Sequence, residues 1–405
     1  MQNTLEFKNK AMIYLDNAAT SWPKPEIVYQ TMIEFLKTKG GNPGRGSHSM
    51  ASSAMEVIEE TRNLIARLIN APERDRIIFT FNCTDALNLA IKGLLKEGDH
   101  VIISSIEHNS VIRPLSKLIK NGIEVTRLIP SKENGVVSPK SIQDSIKKNT
   151  KLVVMTHASN VTGIVQPIEE YGEIIRRHNL VFLVDAAQTA GKYPIDVQLG
   201  NIDLLAFSGH KGLLGPPGTG ILYIGNRVDL ESLREGGTGS QSELEEQPAI
   251  LPDKFESGTP NSMGISGLGA GIKFIFSEGL DKIKKHGQYL TERLIEGLSK
   301  IPGITIYKGE DLGKQVPIIS LNINGYNPAE VGIILDQAFN IKVRTGLHCA
   351  VSAHKTLGTY PSGTIRISPG YFNTLEDMDN TIQALEQIAK TTTPISMGSY
   401  GNKRT

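Results

Sequence analysis

Between about Ile77 and Ile224 the chain alternates two kinds of pattern. Short apolar runs, "RIIFTF", "HVIISS", "IEVTRL", "KLVVMTH", "LVFLVD", "DLLAFS" and "TGILYIG", read as strands. Between many of them lie stretches with helical spacing: "TDALNLAIKGLLK", "NSVIRPLSKLIKN", "SPKSIQDSIKKN" and "PIEEYGEIIRRHN". Runs such as "LVFLVD" are apolar without alternation, as expected of strands covered on both faces. Strand and helix in alternation predict an α/β fold, with a mostly parallel seven-stranded sheet flanked by helices. Such sheets bind ligands outside the carboxyl ends of their strands. The residues that follow the apolar runs therefore carry the chemistry.

From Gly236 to Asn261 the pattern is lost in "GGTGSQSELEEQPAILPDKFESGTPN". A long irregular loop in a compact protein is usually functional or at an interface. Helical "GISGLGAGIKFIFSEG" and "LDKIKKHGQYLTERLIEGLSKI" follow, then strand-like "GITIY", "VPIISLNI" and "GTIRIS" with helices "NPAEVGIILDQAF" and "TLEDMDNTIQALEQIAK" between. This predicts a large unit over 16–262 and a smaller α+β unit from 1–15 and 263–405, with a polar, mobile tail over about 392–405.

At 405 residues the chain is too long for one ordinary core. Forty-three basic and 42 acidic residues balance to +1, which argues against nucleic acid or an anionic membrane as partner. Two cysteines build no disulfide framework and no zinc site, so a reducing, cytoplasmic setting is expected. "MQNTLEFKNKAMIYLD" has no apolar core of a signal peptide, and no run is long enough for a membrane span.

Three strand ends stand out. Asp185 closes "LVFLVD"; it is either a helix N-cap or an acid paired in a site. Lys211 sits in "SGHKG" among small or hydrogen-bonding neighbours. Most lysines are solvated, but one in a desolvated pocket can lose its proton and form a Schiff base. An acid nearby could then pair with the pyridine nitrogen of pyridoxal phosphate, an electron sink. "TFNCTDALNLA" places a helix start at about Thr84, where free N–H groups suit a phosphate, although a plain Thr cap reads as well. Cys349, in "RTGLHCAVSAHK", is either a small buried apolar residue or a nucleophile; residue order leaves that open.

Taken together, "YLDNAAT", "EHNS", "SNVTG", "VDAAQ", "SGHKG", "ESGTPN" and "RTGLHCA" resemble, in content and order, the cysteine desulfurases of the class V aminotransferase family, fold-type I pyridoxal-phosphate enzymes. The resemblance spans "IYLDNAAT" to "SPGYFNT", and the short segment between Cys349 and Arg366 is similar to the SufS-like group. It implies that Lys211 holds pyridoxal 5'-phosphate and moves the proton at the substrate Cα, that Asp185 pairs with the ring nitrogen, that Gln188 bonds the ring hydroxyl and that His108 stacks on the ring. Thr84, Ser208 and His210 would bind phosphate with the backbone of Cys83, and Thr259 would reach the phosphate of a neighbouring subunit, implying a homodimer with shared sites. Asn160 and Arg366 would grip the substrate carboxylate, and Ala19, His48 and Arg344 join the substrate-binding residues. Cys349 would take the sulfur of L-cysteine as a persulfide, with L-selenocysteine a second substrate and a sulfur-acceptor protein downstream in iron–sulfur or related assembly. Competing readings are a selenocysteine lyase, another enzyme of the same family, or a non-catalytic binding partner. Two departures are visible: Cys83 stands where many relatives have Thr, and Val351 and Ser352 stand where a Pro is common.

Overall fold

The computed structural model describes residues 11–44 and 47–391. The expected mobile tail at 392–405, and residues 1–10 of both the smaller unit and the leader reading, lie outside the described residues.

In chain order the elements are β1 (Ile13–Tyr14), α1 (Glu26–Thr38), α2 (Ser49–Leu68), β2 (Ile77–Thr80), α3 (Cys83–Leu94), β3 (His100–Ser104), α4 (Asn109–Ile119), β4 (Glu124–Leu128), α5 (Pro139–Asp144), β5 (Thr150–Thr156), α6 (Ile168–Arg177), β6 (Val181–Asp185), β7 (Leu204–Ser208) and β8 (Gly220–Ile224). After the long loop come α7 (Ser262–Glu278), α8 (Leu280–Leu298), β9 (Ile304–Tyr307), β10 (Ile319–Ile323), α9 (Pro328–Phe339), β11 (Ile341–Lys342), β12 (Arg344–Gly346), α10 (Val351–Leu357), β13 (Thr364–Ile367) and α11 (Leu375–Lys390).

All seven apolar runs of the first half form one sheet, in the order β2-β8-β7-β6-β5-β3-β4. Only β8 runs against its neighbours; the other pairings are parallel. The apolar runs are continuous because both faces are covered. Val153, Phe182, Leu205 and Phe207 pack into one core cluster, and Leu152, Leu183, Leu204 and Ala206 into another. Burial of this kind stabilises by roughly 25 cal/mol per Å² of apolar surface.

Several elements escaped the reading of the pattern. Helices α1 and α2 were not anticipated at all. The pattern of α1 is blurred because Ile27, Tyr29, Ile33 and Leu36 are exposed while only Val28 and Phe35 are buried. Strands β1, β11 and β12 have two or three residues, too few to show a period. Helix α10 has seven residues.

The second sheet, β12-β13-β10-β9, is antiparallel. Its core joins Leu290 and Leu294 of α8, Val331 and Leu335 of α9, and Met378 and Leu385 of α11, together with Ile13 and Leu15. Helix α7 packs the other way, with Ile265, Leu268, Ile272 and Ile275 in the core under the large sheet. The "SNVTG" turn docks on the second sheet. Gly163 has φ +75°, and a Cβ there would stand 2.8 Å from the carbonyl oxygens of Val316 and Ile318. The Ser320 hydroxyl donates to the Val161 carbonyl at 2.6 Å, completing the seam.

Candidate active site

The carboxyl ends of β5, β6 and β7 and the amino ends of α3 and α4 surround one cavity of about 130 Å³. Cys83, Thr84, His108, Asn160, Asp185, Gln188, Ser208, His210 and Lys211 all line it. Residues scattered over the chain are thus gathered at the edge where such sheets bind ligands.

Each arrives by a local device. Asn82 caps α3, accepting from the Asp85 N–H at 3.0 Å. The start of α3 lies hard against β8, where a Cβ on Gly220 would approach the Asn82 backbone to 2.3 Å. Only glycine permits this contact, and it brings the Cys83 N–H to 3.3 Å from the Ser208 hydroxyl. His108 caps α4: its Nδ1 accepts from the Ser110 N–H at 3.1 Å. An accepting Nδ1 leaves the ring proton on Nε2 when the imidazole is neutral. Burial, partly opposed by Asp185, lowers the pKa of His108. Ser110 Oγ stands 2.9 Å from that Nδ1 and 2.6 Å from the Thr84 hydroxyl, linking the two helix starts.

Asp185 closes β6 and is 4% exposed. No helix follows it, so it caps a turn: Oδ1 accepts from the Ala187 N–H at 2.9 Å. The same oxygen takes the Cys83 thiol at 3.6 Å. Burial, reinforced by Asp185, pushes that thiol well up. The Cys83 side chain therefore faces the acid, while the hydroxyls of Thr84, Ser110 and Ser208 stand together at the helix starts. Gln188 donates to the Ala18 carbonyl at 3.1 Å, and its Oε1 is buried with no partner. Lys211 has its pKa lowered by burial, with Cys83 and Asp185 pulling the other way. Its neighbour His210 is pushed down to about 4, first by burial and then by the Lys211 charge. The His210 carbonyl receives Ser21 N–H at 3.0 Å and the hydroxyls of Thr20 and Ser21 at 3.1 and 3.2 Å, which closes the "NAAT" segment over this side.

Arg366, on β13, is 2% exposed. Its Nη1 donates to the Asn160 carbonyl at 3.1 Å and its Nη2 to Asp16 Oδ1 at 2.8 Å. Asn160 in turn donates through Nδ2 to the carbonyl of His348 at 2.6 Å. The next carbonyl, that of Cys349, accepts the Asn109 N–H, beside His108, at 2.8 Å. Two bonds thus tie the cysteine turn to the cavity wall. His348 and Cys349 both adopt left-handed backbone, φ 48° and 57°, a conformation costly for side chains of this kind. Cys349 is exposed, whereas Cys83 is buried. Beneath the turn, His348 is held neutral, pushed down to about 2 chiefly by burial, and bonds Thr364 at 3.0 Å.

Some anticipated residues are not in the cavity wall. Arg344 lies opposite Arg366 in the strand register, half-buried. Ala19 sits in the turn that follows Asp16, with its N–H on the Asp16 carbonyl at 3.0 Å. His48 is exposed and spent on capping α2, accepting from the Ala51 N–H at 3.3 Å. Thr259 is exposed and lines a separate cleft with Phe79, Phe81 and Arg234.

Three residues were missed. Asp16 and Glu107 stand inside quoted motifs, "YLDNAAT" and "EHNS", which was the signal available. Glu107 is fully buried; its Oε1 accepts from the Ser104 hydroxyl at 2.5 Å and the Thr156 N–H at 2.8 Å, and burial pushes its carboxyl up to about 8. Ser110 closes the same "EHNS" motif, so the signal that marked Glu107 marked it too.

Among the described residues no cluster of three or more His, Cys, Asp or Glu side chains could hold a metal, and no helix is long and apolar enough to cross a membrane. The pattern of the family described as "Aminotransferase class-V" matches residues 13–381. The "Probable cysteine desulfurase" of Methanothermobacter thermautotrophicus is 41% identical over 384 residues, covering 93% of this chain and 94% of that protein. The "Cysteine desulfurase" of Salmonella agona is 32% identical over 401 residues, 95% of each chain. Among solved structures, the apo cysteine desulfurase of Thermococcus onnurineus superposes with a TM-score of 0.87 at 35% identity, covering 94% of this chain and 95% of that one. The cysteine desulfurase CsdA of Escherichia coli gives 0.83 at 27% identity, covering 93% and 94%.

Proposed function

This chain belongs to the aminotransferase class-V family, and from that premise we propose that it is a pyridoxal-phosphate-dependent cysteine desulfurase. The observation that carries the reading is the joining of two halves. A cavity holding Lys211, Asp185, Gln188 and His108 is hydrogen-bonded, through Asn160 and Asn109, to the turn that presents the exposed thiol of Cys349.

The residues fit the cofactor. Gln188 Oε1 is a buried acceptor without a donor, as a ring hydroxyl would supply. Asp185 is a buried acid at the far wall, as a protonated pyridine nitrogen requires. Two helix starts with three hydroxyls gather where a phosphate would sit. Pyridoxal phosphate, when bound, supplies the electron sink that makes the substrate Cα–H acidic and loosens the bond to sulfur.

Lys211 would hold the cofactor aldehyde, and its pKa, lowered by burial, suits it to take and return the proton at Cα. His108, whose Nδ1 accepts from the Ser110 N–H and so keeps its proton on Nε2 when neutral, would stack on the ring. Arg366 and Asn160 hold the substrate carboxylate and so fix the direction in which the sulfur points. The Cys349 thiolate attacks that sulfur; an S–S bond forms, the C–S bond breaks with its electron pair left on the carbon side, and a proton completes alanine. The persulfide then passes to an acceptor thiol. The homodimer belongs to the same reading: Thr259 lies outside its own cavity, and the adjacent surface exposes Phe81, 59% accessible. So does the division of the chain into a cofactor-binding unit at 16–262 and a smaller unit.

The test uses purified protein with pyridoxal phosphate and L-cysteine. Wild type forms alanine and, with a reductant, equal sulfide. Cys349→Ala keeps the cofactor absorbance and loses sulfide formation. Lys211→Ala loses covalent attachment of the cofactor. Undiminished sulfide from Cys349→Ala, or no cofactor absorbance in wild type, would overturn the reading.

A further inference from the structure

The surroundings of Arg366 are unbalanced in charge and in hydrogen bonding. Its side chain is 3% exposed, and burial works against its charge. Nη1 is spent on the Asn160 carbonyl and Nη2 on Asp16 Oδ1, while the Nε–H is buried with no acceptor. Arg344 stands opposite in the strand register, and its charge also works against that of Arg366. Like charges directly opposite are unfavourable unless a further anion is present.

A guanidinium binds a carboxylate best through two parallel N–H bonds. The Nε and Nη2 groups of Arg366 form such a fork, and Asp16 fills only one side of it. The Asp16 side chain is 20% exposed, so water can reach it where it cannot reach Arg366. Its main chain is anchored: the Asp16 carbonyl takes the N–H groups of Ala19 and Thr20, and a bridge pairs Asp16 with Ser368. Only the carboxyl group needs to turn to free the fork.

We propose that Asp16 is an internal placeholder for the substrate's carboxylate. It occupies Nη2 while the site is empty and yields when an amino acid takes Nε and Nη2 together. A buried guanidinium left without a counter-ion is strongly destabilising, and the exchange ensures that Arg366 never lacks one. The cost falls on affinity, because every ligand carboxylate must displace Asp16. This inference rests on the reading of Arg366 as the carboxylate site.

The test is Asp16→Asn, with Asp16→Ser as a second variant should the first fail to fold. Propionate, which carries the carboxylate and nothing that reacts with an aldehyde, is titrated calorimetrically into the cofactor-loaded protein; propionamide is the control. The placeholder role predicts opposite signs. The variant binds propionate about fivefold more tightly, as loss of a modest competing ion pair implies, and KM for L-cysteine falls without a rise in kcat. Its ligand-free melting temperature drops by about 1 °C, the same free energy divided by the unfolding entropy of 405 residues. Propionamide binding is unchanged. Weaker or equal propionate binding in the variant overturns the proposal, because a residue that merely orients Arg366 would lose affinity and stability together. Wild type that fails to bind propionate overturns it too, and whether the same sample still converts L-cysteine to alanine then decides the reading of function separately.

Discussion

Arg62 is a buried cation that α2 carries to the base of the loop bearing Thr259. It is 1% exposed. Its two Nη groups meet the two oxygens of Glu256 at 2.8 and 3.0 Å, its Nε meets Glu59 at 3.2 Å, and Nη1 also donates to the Ile77 carbonyl. Glu256 Oε1 further accepts the Phe79 N–H at 2.6 Å. Burial opposes the guanidinium charge, and Glu256 and Glu59 more than offset it, so its pKa is raised. Glu256→Ala leaves Arg62 buried without its bidentate partner, which costs about 3–5 kcal/mol. The orphaned Phe79 N–H belongs to the same loss, since one carboxylate serves both groups. At roughly 2.1 cal/mol/K per residue over 405 residues, this is a fall of about 4–6 °C in Tm. Arg62→Leu combined with Glu256→Met removes both charges and leaves mainly the Phe79 N–H unsatisfied, about 1–3 kcal/mol. The double variant therefore melts above the single one. Thermal unfolding followed by circular dichroism decides it. A single variant within about 1 °C of wild type, or a double variant no better than the single, would refute the reasoning.

Glu107 predicts a pH dependence of known sign. Its carboxyl is pushed up to about 8 by burial, so the stability it contributes is complete below the unfolded value near 4.5 and is lost as pH rises through 8. Glu107→Gln, measured by melting at intervals from pH 5 to 9, flattens that decline; an unchanged slope would exclude a buried neutral carboxyl. The two thiols should separate in reactivity. A thiol reagent modifies Cys349 in the native protein, while Cys83, buried and with its thiol pushed up, reacts only on unfolding. Peptide mapping after brief alkylation checks this, and early labelling of Cys83 would contradict it.

What the sequence shows and hides follows from physical range. The large sheet was legible because strands buried on both faces, such as Val181–Asp185, leave unbroken apolar runs. The pairing of the Cys83 thiol with Asp185 was not: the resemblance places only the Cys83 backbone at the phosphate cup, and the approach of α3 to β8 across Gly220 sets its thiol against the acid. The cysteine turn was hidden for a similar reason. Its two left-handed residues are neither Gly nor Asn, and bonds from Asn160 and Asn109, far away in sequence, accompany that conformation. Helix α1 stayed unread because the face it leaves exposed is apolar.

The central claim is that Cys349 accepts sulfur from L-cysteine bound over Lys211. The most direct measurement is the mass of the Cys349 peptide after brief exposure of the cofactor-loaded protein to L-cysteine without reductant. The account predicts a gain of one sulfur atom on that peptide, formed together with alanine and absent in Lys211→Ala. Alanine produced while Cys349 stays unmodified, with the added sulfur found elsewhere or released directly as sulfide, would contradict it.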